Sequence, residues 1–147
     1  MEKPNNIVLD ASVVVKWFVD EEYTNKALKI LDDYAKGTIM VCSVQLMPYE
    51  VINALRYDSA IGRGDLIQIS QAISKFQIRL YPLINGLAES TINIALDSGT
   101  TIYDAAYLSL AIKTGARLFS ADQKFINKLA GNEHLFHISN YETPTGS

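Results

Sequence analysis

Four acidic residues, Asp10, Glu50, Asp104 and Asp122, stand where an apolar run ends or a helical pattern begins. Asp10 follows the run Asn6-Ile7-Val8-Leu9, and Asp122 follows Arg117-Leu118-Phe119-Ser120-Ala121. Asp104 completes the capping-box spacing Thr101-x-x-Asp104, and Glu50 falls just after Pro48 in a first helical turn. Each has a modest explanation: a carboxylate at a helix N-terminus accepts orphan backbone N–H groups and suits the helix dipole. The four explanations share one geometric content, a carboxylate at the start of a helix. If those starts meet, two such charges 5 Å apart repel by about 3 kcal/mol at an effective dielectric near 20. A hard divalent cation removes that repulsion. Oxygen-only ligation suits Mg²⁺ or Mn²⁺, and no histidine–cysteine cluster of the kind a structural zinc needs is present in the sequence. Such an ion on a carboxylate rim activates water and stabilises a leaving oxygen in phosphodiester hydrolysis.

The elements needed to bring these acids together are legible as alternating patterns. Strand-like apolar runs are Asn6–Leu9, Thr38–Cys42, Arg79–Leu83, Arg117–Ser120 and Leu135–Ile138. Helical spacing is predicted after Asp10 through Phe18, over Glu21–Lys36 with Gly37 as its C-cap, and from Pro48 to about Ile61-Gly62. Further helices are predicted over Asp65–Phe76, Gly86–Leu96, Tyr103–Lys113 and Gln123–Leu129. Short apolar strands alternating with helices call for a mostly parallel sheet covered on both faces, a three-layer α/β/α sandwich. In such a sheet the strand C-termini and the following helix N-termini gather along one edge, where these folds place ligands. Asp10, Asp104 and Asp122 lead to that edge, and Glu50 reaches it from the helix after the second strand.

Composition bounds the alternatives. The 147 residues suffice for one domain with its own core, expected over 1–141, followed by a turn-rich, flexible tail over 142–147. Hydrophobic residues make up 48% and charged residues 20%, the profile of a soluble globular chain. No apolar run approaches the roughly 20 residues of a spanning helix and no signal-like leader is seen, so a cytoplasmic location is expected. Cys42 is the only cysteine, excluding an internal disulfide and reading as an inert, buried thiol. The net charge of −3 argues against a broad basic nucleic-acid face, unless clustered acids hold a cation that reverses the local sign.

Four segments carry a resemblance: Val8-Leu9-Asp10-Ala11-Ser12, Tyr49-Glu50-Val51-Ile52-Asn53-Ala54-Leu55, Ile102-Tyr103-Asp104-Ala105-Ala106-Tyr107-Leu108-Ser109-Leu110-Ala111, and Leu118-Phe119-Ser120-Ala121-Asp122-Gln123-Lys124-Phe125. In order and spacing they resemble the PIN domain, and more narrowly the VapC toxins of prokaryotic toxin–antitoxin pairs. The resemblance implies a five-stranded parallel sheet of order 3-2-1-4-5 with a Mg²⁺ or Mn²⁺ site at the strand C-termini. It implies an endoribonuclease, the toxin of a type II pair, with an RNA substrate and a small antitoxin partner. Carried over, Asp10, Glu50, Asp104 and Asp122 form the acidic site. Ser12 matches a small hydroxyl two residues after the first acid, and Ser120 matches the residue that positions the last. Asn53, one turn beyond Glu50, would orient it or a metal-bound water, against the plain reading of a surface asparagine. Two departures stand out. Val44 replaces a proline often found about six residues before the glutamate, with Pro48 next to Tyr49-Glu50 instead, and Gln123 and Asn127 stand where some relatives have a further acid.

Other residues have plainer readings. Lys16-Trp17-Phe18 reads as core packing rather than a base-stacking platform. His134 and His137 do not hold a ligand spacing on one face of a turn and strand. Arg56, Arg63, Lys75, Arg79, Lys113, Lys124 and Lys128 read as solvated surface, with Lys124 and Arg56 the first to consider for phosphate contacts. Tyr57, Leu66, Ile67, Ile69 and Ile73 exceed what one amphipathic face requires and suggest a homodimer. Two rival functions are a catalytically inactive PIN-like binding module and a phosphate-handling enzyme of the haloacid-dehalogenase type. The latter needs a second aspartate two residues after Asp10, where this chain has Ser12.

Overall fold

Ile7, Val8 and Leu9 are all fully buried, as a strand covered on both faces requires. They belong to β1 (Asn5–Leu9), the middle strand of the computed structural model, which describes residues 5–145. On one side β1 pairs with β2 (Ile39–Val44), which pairs with β3 (Arg79–Tyr81). On the other it pairs with β4 (Arg117–Ser120), which pairs with β5 (Leu135–His137). Every pairing is parallel and the order is β3-β2-β1-β4-β5, as expected. The register sets Leu9 opposite Phe119, so Asp10, just past the end of β1, comes beside Ser120, the last residue of β4.

The connections are helical. A single turn, α1 (Ala11–Val14), runs on into a 3₁₀ turn over Val15–Trp17, and α2 (Thr24–Ala35) leads to β2. Between β2 and β3 lie α3 (Met47–Leu55) and α4 (Arg63–Lys75). Between β3 and β4 lie α5 (Asn85–Ser98) and α6 (Ile102–Thr114), and α7 (Gln123–Lys128) leads toward β5. Seven consecutive residues of α6, Ala105 to Ala111, are buried, because α6 packs on β1, β2 and β4 while α5 covers its outer side. A helix enclosed in this way has no polar stripe to display. Among the described residues no helix is long and apolar enough to cross a membrane.

Three boundaries depart from expectation for local reasons. The helix after Pro48 ends at Leu55 rather than near Gly62, because Asp58 Oδ1 accepts from the Ala60 amide at 2.9 Å and turns the chain out. Gly62 then heads α4, its amide donating to Asp65 Oδ2 at 2.9 Å. The second helix starts at Thr24 rather than Glu21, since Tyr23 sits in the left-handed region at φ 66°.

Trp17 and Phe18 pack against the core, as expected. Trp17 donates from Nε1 to the Ala27 carbonyl at 2.8 Å and meets Phe76 edge-on at 5.2 Å. Of the five residues that suggest a dimer, Ile73 is buried, Leu66 and Ile69 pack on the core, and Tyr57 and Ile67 remain exposed. Within the expected flexible tail, Thr143 Oγ1 donates to the buried Asp33 at 2.7 Å, while Gly146 and Ser147 lie outside the described residues.

Candidate active site

Asp10 is the N-cap of α1, so the modest reading holds: its Oδ1 accepts from the Ser12 amide at 3.1 Å. The carboxylate does more than cap. Ser12 Oγ donates to Oδ1 and Ser120 Oγ donates to Oδ2, each at 2.5 Å, so both oxygens are held by hydroxyls, one from α1 and one from the end of β4. The hydroxyls are themselves fixed. Ser12 Oγ accepts from the Ala121 amide at 2.8 Å and Ser120 Oγ from the Asp122 amide at 3.0 Å. With both hydroxyl protons committed to Asp10, the 3.3 Å approach of Ser12 Oγ to Ser120 Oγ is a contact between acceptors. Ser43, fully buried on β2, ties the last turn of β1 by donating to the Leu9 carbonyl at 2.7 Å. Asp10 is 6% exposed, and burial pushes its carboxyl up to about 6, against the lowering effect of the two serine hydroxyls. The charge of Asp122 adds to the rise.

Asp122 caps α7, its Oδ1 accepting from the Lys124 and Phe125 amides at 3.0 and 3.2 Å. Asp104 occupies the first turn of α6, but the cap belongs to Thr101, whose Oγ1 accepts from the Asp104 amide at 3.0 Å. Among the described residues the Asp104 carboxylate has no hydrogen-bond partner, so capping does not explain its charge. Burial raises its pKa, Lys128 nearby lowers it and Asp122 raises it further. Glu50 lies in α3, half-buried, and its pKa is raised first by burial and also by Asp104 and Asp122. Asp122 helps to raise the pKa of Asp10, Asp104 and Glu50, and Asp104 helps to raise that of Glu50, so these three acids each feel the charge of Asp122.

Of the supporting residues, Ser12 and Ser120 are brought to Asp10. Asn53 lines an open groove of about 740 Å³ with Glu50, Tyr49 and Arg56, yet it makes no hydrogen bond to Glu50. That bond comes from Tyr107, whose hydroxyl donates to Glu50 Oε1 at 2.5 Å. Tyr107 is the site residue that a reading of the acids passes over: it stands one turn after Asp104 on α6, but its meeting with Glu50 depends on how α6 approaches α3. Gln123 and Asn127, standing in place of a further acid, bond to each other at 2.8 Å. The histidines stay apart from the rim, His134 on the Ala116 carbonyl and His137 on Ser139. Cys42 is half-buried, and burial pushes its thiol up to about 11, consistent with an inert group.

The donor set suits a hard divalent cation. It is oxygen-only, mutually repelling, and retains acceptor capacity: Asp122 Oδ2, Glu50 Oε2 and both Asp104 oxygens accept no hydrogen bond among the described residues. Among those residues no three His, Cys, Asp or Glu side chains already close into a ligand cage. A magnesium-like ion that keeps several waters and takes one or two carboxylates directly fits such an open set better than a dehydrated ion.

Comparison with known proteins gives a consistent result. The PIN domain family model matches residues 7–131. A Pyrobaculum aerophilum protein described as ribonuclease VapC3 is 27% identical over 83% of this chain and 93% of its own length. From the same organism, exonuclease VapC9 is 26% identical over 80% of this chain and 88% of its own. A toxin–antitoxin complex from Klebsiella pneumoniae contains a chain that superposes with a TM-score of 0.68 at 14% identity, covering 90% of this chain and 97% of that one.

Proposed function

Because this chain belongs to the PIN domain family, we propose that it is a Mg²⁺- or Mn²⁺-dependent endoribonuclease and the toxin of a type II toxin–antitoxin pair. The observation that carries the reading is the buried Asp10, both oxygens clamped by Ser12 and Ser120, with the charge of Asp122 acting on it. A fold that needed only a helix cap would not bury a carboxylate against its own charge within reach of a second one. The relatives named as a ribonuclease and an exonuclease support nuclease chemistry.

Asp10, Asp104, Asp122 and Glu50 would hold the divalent ion, directly or through water. Bound there, the ion supplies charge neutralisation and Lewis acidity for phosphodiester hydrolysis. The serines keep Asp10 ionised and aimed at the rim despite its burial. RNA follows the groove beside Glu50, with Arg56, Lys124 and Lys128 as candidate phosphate contacts and Asn53 facing the strand. The partner is a small antitoxin, by analogy with the Klebsiella complex. A homodimer is proposed on the exposed Tyr57 and Ile67. Ser12 speaks against the dehalogenase-type rival, since its hydroxyl is committed to Asp10 rather than replaced by a second acid.

The test is incubation of linear and circular single-stranded RNA with the protein, with Mn²⁺ or with EDTA. Metal-dependent opening of the circle is expected. Trimming of linear RNA alone would reassign it as an exonuclease, and no cleavage of either would favour the inactive module.

A further inference from the structure

Glu50 differs from the other acids in how it reaches the rim. Asp10 and Asp122 are short side chains fixed by their own turns, and Asp104 shares a helix with Tyr107. Glu50 has one more rotatable bond than an aspartate and sits on α3, which packs chiefly against α1 and α4 rather than along α6. Its one hydrogen bond among the described residues spans the gap between α3 and α6, from a tyrosine that is 3% exposed. The Tyr107 ring is locked in the core, so its hydroxyl is a fixed point, and it also lies beside the Ala11 backbone in the turn that carries Asp10. One buried hydroxyl thus touches the Glu50 carboxylate, neighbours the Asp10 turn and rides on the helix of Asp104.

We propose that Tyr107 is a positioning residue that fixes the Glu50 carboxylate in register with the Asp10 and Asp104 frame. The proposal rests on the nuclease reading for its chemical consequence, and on geometry alone for the positioning. A tyrosine hydroxyl suits the task because it donates without adding charge to an already repelling rim. Outer hydrogen bonds of this kind to a ligating carboxylate typically change metal affinity or activity tenfold or more.

The decisive variant is Tyr107→Phe, which keeps the ring and removes only the donor, examined alone and on a Glu50→Ala background. Expected results are about a tenfold weaker Mn²⁺ affinity by calorimetry and about a tenfold lower kcat on RNA with KM within twofold. Neither parameter should change further when Tyr107→Phe is added to Glu50→Ala. Crystal structures of the wild type and Tyr107→Phe should show the Glu50 carboxylate displaced or split in the variant. Unchanged Mn²⁺ affinity and kcat, an equal loss on the Glu50→Ala background, or a Glu50 carboxylate left in place would overturn the role. If the wild type neither binds Mn²⁺ nor cleaves RNA, the nuclease reading fails, and the crystallographic comparison alone decides the positioning.

Discussion

Asp10 is pulled two ways: burial raises its pKa to about 6, while Ser12 and Ser120 stabilise the ionised form. An unfolded aspartate titrates near 3.9. The folded pKa lies above that value, so Asp10 contributes stability in full below about pH 4 and loses it as pH rises through 6. A shift of this size corresponds to about 2–3 kcal/mol. In metal-free buffer, the wild type should therefore lose about that much stability relative to Asp10→Asn between pH 4 and pH 7.5, measured by urea unfolding. Parallel pH profiles for the two proteins would show that burial does not oppose the charge. An acid held against its own solvation is expected where a cation is to be bound rather than where a helix merely needs a cap.

At the scale of elements, the first turn of α6 separates capping from chemistry. Thr101 makes the cap and Asp104 presents a carboxylate without a hydrogen-bond partner among the described residues. Thr101→Ala should cost about 1 kcal/mol of stability and leave cleavage within a few-fold. Asp104→Asn should leave stability within about 0.5 kcal/mol, since the Thr101 bond uses the backbone amide, and should reduce cleavage at least a hundredfold. The opposite pattern would make Asp104 structural. The sequence carried the existence of these elements well, because strand runs such as Ile7-Val8-Leu9 and the helical spacing of Tyr103–Lys113 are local signals. It carried the ends of α3 and α2 poorly. Those ends are set by the Asp58 turn and the left-handed Tyr23, single-residue choices that periodicity averages away.

Across the whole molecule, the parallel order makes distant residues neighbours, and this is where legibility stops. The placement of the four acids at helix starts was readable because the sheet dictates where those helices begin. The hydroxyl pairing of Ser12 with Ser120 follows from β1 and β4 lying side by side. Tyr107 meeting Glu50 requires knowing how α6 approaches α3, which no local pattern encodes. The same holds for the C-terminal segment, where the fully buried Tyr141 donates to Asp33 at 2.6 Å and Lys26 donates to the Tyr141 carbonyl at 2.7 Å. The net charge of −3 remains compatible with an RNA substrate only if the rim changes sign when it is loaded. That requirement makes calorimetric titration with Mn²⁺, on the wild type and on Asp10→Asn side by side, the most direct test. The account predicts saturable Mn²⁺ uptake by the wild type and its loss in the variant. Failure of the wild-type protein to take up the ion, or equal uptake by both, would contradict it.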